Sequence, residues 1–326
     1  MLNFIVRTFK WSILVALTSI PAYSLGEEFP TRPLTILVGF EQGGSTDLQA
    51  RVMGEILEEK LGVPVTIVNV PGSGGGIAAA MLADSQEEGY VMMYSSSHPF
   101  VFTPMVYDTS YATSDFRFVA SMALQQAAFV VSGLSNVNTW DDLLTAAQQQ
   151  PEITFASQTP IDRILVRMIA QKEGLNVRII PTTGGAGMAR HILRNEMDFA
   201  YSGGTHSNYT DDGRMRVILG LSQSPLVGYE DVPTILDVGM EHFDEILRVV
   251  AVPANSSDEQ IQVLQKALQH VASDSRFVAV SEQLRIPVSF RDEAYLASFF
   301  ADRLTSYEFL INNFSDSDVS GIRVPQ

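Results

Sequence analysis

Four times in 326 residues a short run of β-branched residues ends in glycines and gives way to a new pattern. The first case is "ILVGFEQGGSTDLQARVMGEIL", Ile36 to Leu57. The others are "IVNVPGSGGGIAAAML", "RIIPTTGGAGMARHIL" and "DFAYSGGTHS". A strand that passes quickly into a helix must come back through a crossover. The repetition therefore implies parallel pairing with helices on the sheet faces.

Such exits also carry chemistry. The first N–H groups of a helix have no partner inside it, and the helix dipole makes that end positive. Carboxylates and phosphates are attracted there. Glycine removes the Cβ that would block a ligand or forbid a turn at positive φ. One Gly-Gly is most simply a tight turn. Four of them, two per unit at the carboxyl ends of strands where α/β sheets collect ligands, point to an anion site.

Along the chain, "PLTILVGF", "VPVTIVNV" and "YVMMYSSS" read as strands. Between them, "TDLQARVMGEILEEKLG" places Leu48, Val52, Met53, Ile56, Leu57 and Leu61 on one stripe and stops at Gly62, and "GGGIAAAMLADSQ" is the second helix. The pattern then restarts. "EITFAS" is a strand, and "TPIDRILVRMIAQKEG" is a helix opened by Thr159 as N-cap and Pro160 in the first turn. "VRIIP", a helix over Met188 to Met197, "DFAYS" and "RVILGLS" complete a second α/β unit. "RVVAVPAN" is a returning strand, followed by helices in "SSDEQIQVLQKALQHVAS" and "EAYLASFFADRLTSYEFLINNF". No Pro-rich or low-complexity tether separates the units, so the chain crosses between them on short segments.

The N-terminus stands apart. Arg7 and Lys10 precede a short apolar core, and Ala22 and Ser24 occupy the small-residue positions of a cleavage site. This is the layout of a secretory signal peptide, residues 1–24, and it places the mature protein outside the cytoplasm. After it, no apolar run is long enough to span a membrane. The expected division is 25–125 for the first domain, 126–248 for the second and 249–326 returning to the first.

With no cysteine, thiol nucleophiles, Cys-based zinc sites and iron–sulfur clusters are excluded. The formal charge is −16, and removing Arg7 and Lys10 with the leader makes it −18. A surface this acidic argues against nucleic acid or anionic membrane as a partner. It leaves room for a small anion held by backbone dipoles.

Sharper motifs are missing. "GGGIAA", Gly74 to Ala79, fits a loose dinucleotide fingerprint, but the next strand ends in serines with no acid for a ribose. No glycine loop runs into Lys-Ser or Lys-Thr, and no G-x-S-x-G occurs. His98, His191, His206, His242 and His270 lack metal-ligand spacing. His206 with Asp211 or Asp212 reads more simply as a solvated turn. Neither a catalytic group set nor a cofactor is expected.

The remaining pattern resembles the periplasmic solute-binding proteins of tripartite tricarboxylate transporters, the TctC or Bug-type receptors. The resemblance rests on "FPTRPLTILVGFEQGGSTDLQAR", "VNVPGSGGGIAAAMLADSQEEGYVMM", "IIPTTGGAGMARHILRNEMDFAYSG" and "YEDVPTILDVGM", and covers nearly the whole mature chain. It implies a type II, flytrap-like fold of two α/β domains, each a mainly parallel sheet flanked by helices, closing over a ligand. It also implies that the first two glycine loops hold a ligand carboxylate through backbone amides and ordered water. By position these loops supply Phe40, Gly43, Gly44, Ser45, Thr46 and Asp47, then Gly74, Gly75 and Gly76. The end of the third strand adds Ser96, Ser97 and His98. The second domain supplies Ser157, Thr159, Thr183, Gly184, Gly185, Tyr201, Ser202 and Gly203.

The chain departs from the family in places. Glu41-Gln42 replaces the usual Pro-Pro, "SQTPIDR" replaces a glycine- and serine-rich turn, and "ILRVV" replaces an aromatic-glycine pair. Arg163 and Arg248 thereby become candidates for the far end of the ligand. The expected function is periplasmic capture of a small carboxylate by a monomer, for delivery to membrane transporter subunits. Two alternatives stay open: a secreted enzyme using Asp47 with His98, and a receptor that feeds a membrane sensor.

Overall fold

The computed structural model describes residues 29–240 and 245–314. The expected leader and His242 lie outside them. The chain first builds β1 (Leu34–Val38), α1 (Ser45–Leu61), β2 (Val65–Asn69), α2 (Gly76–Ala83) and β3 (Val91–Ser96). Two single turns, α3 (His98–Val101) and α4 (Thr103–Val106), lead to β4 (Phe116–Leu124). β1 is buried at four of its five positions, as a strand covered on both faces must be. Gly62, in the left-handed region at φ 73°, closes α1.

After 125–127 the chain enters a second unit. It comprises β5 (Ala128–Ser132), α5 (Trp140–Gln148), β6 (Ile153–Ser157), α6 (Pro160–Glu173), β7 (Val177–Pro181), α7 (Gly185–Leu193), β8 (Phe199–Ser202), α8 (Ser207–Thr210) and β9 (Met215–Gly220). α6 starts where its sequence signals place it, with Thr159 as N-cap and Pro160 in the first turn. α7 does not run from Met188 to Met197. It begins directly after Gly184, whose φ of 104° breaks the chain from the strand, and ends before Asn195, at φ 56°. The apolar spacing suggested a later helix, but these two backbone positions set its ends.

β10 (Leu247–Pro253) returns to the first unit, followed by α9 (Asp258–Ser273), α10 (Ser275–Gln283), β11 (Val288–Asp292) and α11 (Glu293–Phe314). The expected division at 125/126 falls at the first crossing. That at 248/249 falls inside β10, so Arg248 sits on a strand of the first sheet.

The six-stranded sheet has the order β11-β4-β10-β3-β1-β2, and the five-stranded sheet β7-β6-β8-β5-β9. In each, the strand–helix–strand units pair in parallel: β1 with β2 and β3, and β6 with β7 and β8. Strands next to the crossings pair antiparallel, β10 with β3 and β4, and β5 with β8 and β9. Both sheets are therefore mixed.

One apolar cluster runs from Leu37 and Phe100 in the first unit to Phe155 and Ile161 in the second, with Tyr307 and Leu310 of α11 included. A separate cluster joins β1 to α1 and α9 through Ile36, Met53 and Leu264. Among the described residues, no helix is long and apolar enough to cross a membrane.

Candidate functional site

The glycine exits of the two sheets face each other across a small cavity. Its volume is about 20 Å³, lined by Phe40, Gly44, Ser45, Thr46 and Ser96 from the first unit and Gln125 at the crossing. Gln158, Thr159, Gly185, Tyr201, Gly203 and Thr205 line it from the second unit. That is space for about one water.

Two helix N-termini converge here. α1 starts after Gly44 and α7 after Gly184, and neither glycine offers a side chain to cap its helix. Both ends carry first-turn amides that have no partner inside the helix, and positive dipole charge. Thr205 Oγ1 sits between them. It accepts from Ser45 N at 3.4 Å, and a Cβ placed on Gly185 would come within 2.0 Å of it. A hydroxyl oxygen thus occupies a point where two helix beginnings favour negative charge.

Arg248 does not line the cavity but lies directly behind it, bonded to the lining residues Ser45 and Gly203. It is 1% exposed, yet its guanidinium meets neutral acceptors: Ser45 Oγ at 2.7 Å, Gly203 O at 2.7 Å and Gln49 Oε1 at 2.7 Å. Gln49 also accepts from Tyr94 Oη at 2.8 Å and donates to Ser281 Oγ at 2.9 Å. Among the described residues no carboxylate pairs with Arg248, and its Nε is buried without a partner. Burial lowers its pKa from the usual arginine value. A cation taken out of water without an anion is costly, and the cost falls when an anion arrives. The β10–β3 register sets Arg248 opposite Ser96, so the two side chains share a sheet face.

The opposite wall is neutral amide and phenol. Gln158 Nε2 donates to Tyr201 O at 2.6 Å, and Gln125 Nε2 donates to Tyr201 Oη at 2.9 Å. Behind that wall lies Asp162, fully buried. Its Oδ2 accepts from Gln158 N at 2.8 Å, Thr159 N at 2.7 Å and Thr159 Oγ1 at 3.0 Å. Burial pushes its carboxyl up to about 6, against those hydrogen bonds.

At the rim the units are tied together. Glu41 accepts from Arg190 Nη1 at 2.7 Å and Thr183 Oγ1 at 2.5 Å. Hydrogen bonds from Arg190 and then Thr183 hold its pKa below 4.5. Glu41 therefore turns away from the cavity.

Nine of the expected residues line the cavity: Phe40, Gly44, Ser45, Thr46, Ser96, Thr159, Gly185, Tyr201 and Gly203. Others do different work. Asp47 braces the first loop: it accepts from Gly43 N at 2.9 Å, Arg51 at 2.9 and 3.0 Å and Asn69 at 2.9 Å. Burial opposes its ionisation, but these partners hold its pKa low. His98 instead packs edge-on against Phe102 and Tyr307. Asp47, which the enzyme alternative would pair with His98, instead has both oxygens engaged by Gly43, Arg51 and Asn69. Buried Ser97 leads into α3 and does not line the cavity.

The second glycine loop is packed. A Cβ on Gly74 would meet Pro160 Cδ at 2.9 Å and Thr159 Cα at 3.1 Å, and one on Gly75 would meet Pro99 Cγ at 2.8 Å. Gly74, Gly75 and Gly76 thus serve close approach between units and within the first, not an amide seat on the cavity.

Ser157 accepts from Arg163 Nε at 3.1 Å, and Arg163 Nη1 donates to Tyr107 Oη at 3.2 Å. Neither reaches the cavity. Thr183 is spent on Glu41, Gly184 packs under Phe40, and Ser202 accepts from His206 N at 3.2 Å. His206 is buried, and burial pulls its pKa down to about 3. Asp211 pairs with Arg285 and Asp212 with Arg214, so no metal site forms there. No group of three or more potential metal ligands exists among the described residues. Gln158 lies inside the expected stretch Ser157 to Thr159, whereas sequence reasoning missed Gln125 and Thr205.

The comparisons agree with this architecture. The family described as "Tripartite tricarboxylate transporter family receptor" matches residues 49–315, and the chain belongs to it. A relative, the protein BugT of Bordetella pertussis, is 25% identical over 283 residues, which is 82% of this chain and 86% of BugT. Among solved structures, the periplasmic binding protein BugD superposes with a TM-score of 0.81 at 21% identity, covering 87% of this chain and 98% of BugD. MatC from Rhodopseudomonas palustris with bound malate gives a TM-score of 0.80 at 17% identity, covering 87% and 100%. The fold is that of a two-domain periplasmic binding protein, and the family is one of receptors, not enzymes.

Proposed function

We propose that this chain is an exported, monomeric receptor that captures a small carboxylate between its two units and presents it to the membrane subunits of a tripartite transporter. The observation that carries this reading is Arg248. A buried guanidinium with neutral acceptors lies beside the uncapped start of α1, and a carboxylate satisfies both. MatC, a structural neighbour, carries a carboxylic acid, which is in keeping with it.

The carboxylate exchanges the Arg248 contacts to Ser45 and Gly203 for its own oxygens, and the first-turn amides of α1 and α7 complete the seat. Each charge-assisted contact contributes about 1.5–3 kcal/mol. Three or four of them reach the roughly 8 kcal/mol of micromolar binding. Because the cavity holds only about 20 Å³, admission requires the units to part. They pivot at 125–127 and at β10, and the ligand then favours the arrangement in which both units touch it.

Native mass spectrometry of freshly purified protein, followed by calorimetry with the acid identified, tests the proposal. A retained carboxylic acid that binds with micromolar or better affinity supports it. Turnover of that acid favours an enzyme instead.

A further inference from the structure

Resting on that receptor reading, we propose that the cleft selects a monocarboxylate whose second polar group is an uncharged amide-like group, and that it discriminates against diacids.

The first ground is a charge count around the cavity. Arg248, bonded to the lining residues Ser45 and Gly203, is a cation without an acid partner among the described residues. Arg190, at the rim, is taken by Glu41. Arg163 is turned to Ser157 and Tyr107 and is next in sequence to buried Asp162. One uncompensated cation calls for one carboxylate.

The second ground is the start of α6. Its amides at Gln158 and Thr159 already donate to Asp162, at 2.8 and 2.7 Å. The chain's own carboxylate therefore fills the anion seat that the second unit would offer there. A ligand's second carboxylate beside Gln158 and Thr159 would face this buried acid across one layer of side chain, with like charges close in a medium of low dielectric.

The third ground is the wall in front of Asp162. Gln125 and Gln158 each spend one Nε2 hydrogen on Tyr201, which leaves each a second N–H and an Oε1. A wall of neutral amides that both donate and accept matches a neutral amide on the ligand at both its atoms, whereas a carboxylate can use only the donors.

Matched probes separate the possibilities: succinamate against succinate, and glutaramate against glutarate, titrated calorimetrically at pH 8. Each half-amide has the length of its diacid and replaces one carboxylate with a neutral donor. At least one half-amide is expected to bind ten-fold or more tightly than its diacid. Diacids that bind as well or better overturn this inference and leave the receptor reading standing. Binding of none of the four at millimolar concentration also overturns this inference, while the receptor reading falls only if the purified protein retains and binds no carboxylic acid. In Asp162→Asn, which keeps an acceptor for the α6 amides, the preference is expected to shrink at least three-fold. An unchanged preference in a folded variant removes Asp162 as its source and overturns the charge argument.

Discussion

Nη2 of Arg248, on the strand that returns to the first sheet, donates at 2.7 Å to the backbone oxygen of Gly203, at the exit of a strand in the second. The same nitrogen donates at 2.7 Å to Ser45 Oγ at the start of α1. One positive charge thus joins both units at the point where the first-turn amides also gather. It has no compensating acid among the described residues, so it costs stability in isolation and recovers it on binding an anion.

Arg248→Met removes that charge while keeping most of the volume. Carboxylate affinity is expected to fall at least 100-fold, about 2.7 kcal/mol, with the melting temperature unchanged or raised. Calorimetry and thermal unfolding check the two halves separately. Unchanged affinity would remove Arg248 from the site.

Gly74→Ala tests closure. Gly74 sits at φ +64°, and a Cβ there would meet Pro160 and Thr159 of the other unit. The variant is expected to bind about ten-fold more weakly, roughly 1.4 kcal/mol, and to show a larger radius of gyration in solution scattering. A compact variant of normal affinity contradicts the close approach.

The Glu41–Arg190 tie is a rim contact, with the two side chains 26% and 57% exposed. At such exposure it contributes at most about 1 kcal/mol. Glu41 has a lowered pKa, so its contribution is complete above the ordinary value of 4.5 and is lost as pH falls through the lowered one. On acidification below 4.5, the wild type is expected to expand more than Glu41→Gln, as read by scattering.

Two buried groups oppose each other in acid. His206, pulled down to about 3 by burial, binds its proton less readily folded than unfolded. Stability therefore falls as pH drops below 6.5. Asp162, pushed up to about 6, binds its proton more readily folded, so stability rises as pH drops from 6 towards 3.8. The slopes, each at most about 1.4 kcal/mol per pH unit, offset one another between roughly 6 and 4. Asp162→Asn is expected to steepen the loss over that range in urea titrations, and His206→Gln to flatten it.

Much of the fold was legible because its signals are local. Alternation of strand and helix, Thr159-Pro160 at the start of α6 and the glycine exits are all short-range patterns. The first loop, from Gly44 to Thr46, came through for the same reason. What stayed hidden depends on distant contacts. Gly74 to Gly76 look like an amide seat until Thr159 and Pro160 fill the space against Gly74. Asp47 follows Gly-Gly as a ligand group would, but Arg51 and Asn69 claim both its oxygens. Thr205 and Gln125 are neutral side chains without spacing or charge to mark them, and only the meeting of the two sheets brings them to the cavity. The rim exchange of Pro-Pro for Glu41-Gln42 acquires meaning only when Arg190 is seen opposite it.

The most direct measurement is a crystal structure of the protein with its retained or added carboxylic acid. The expected result places one carboxylate about 3 Å from Arg248 and from the first-turn amides of α1, with Gln125 and Gln158 at the other end. An acid found at the rim beside Glu41, or anywhere that leaves Arg248 bonded to Ser45 and Gly203 as before, contradicts it.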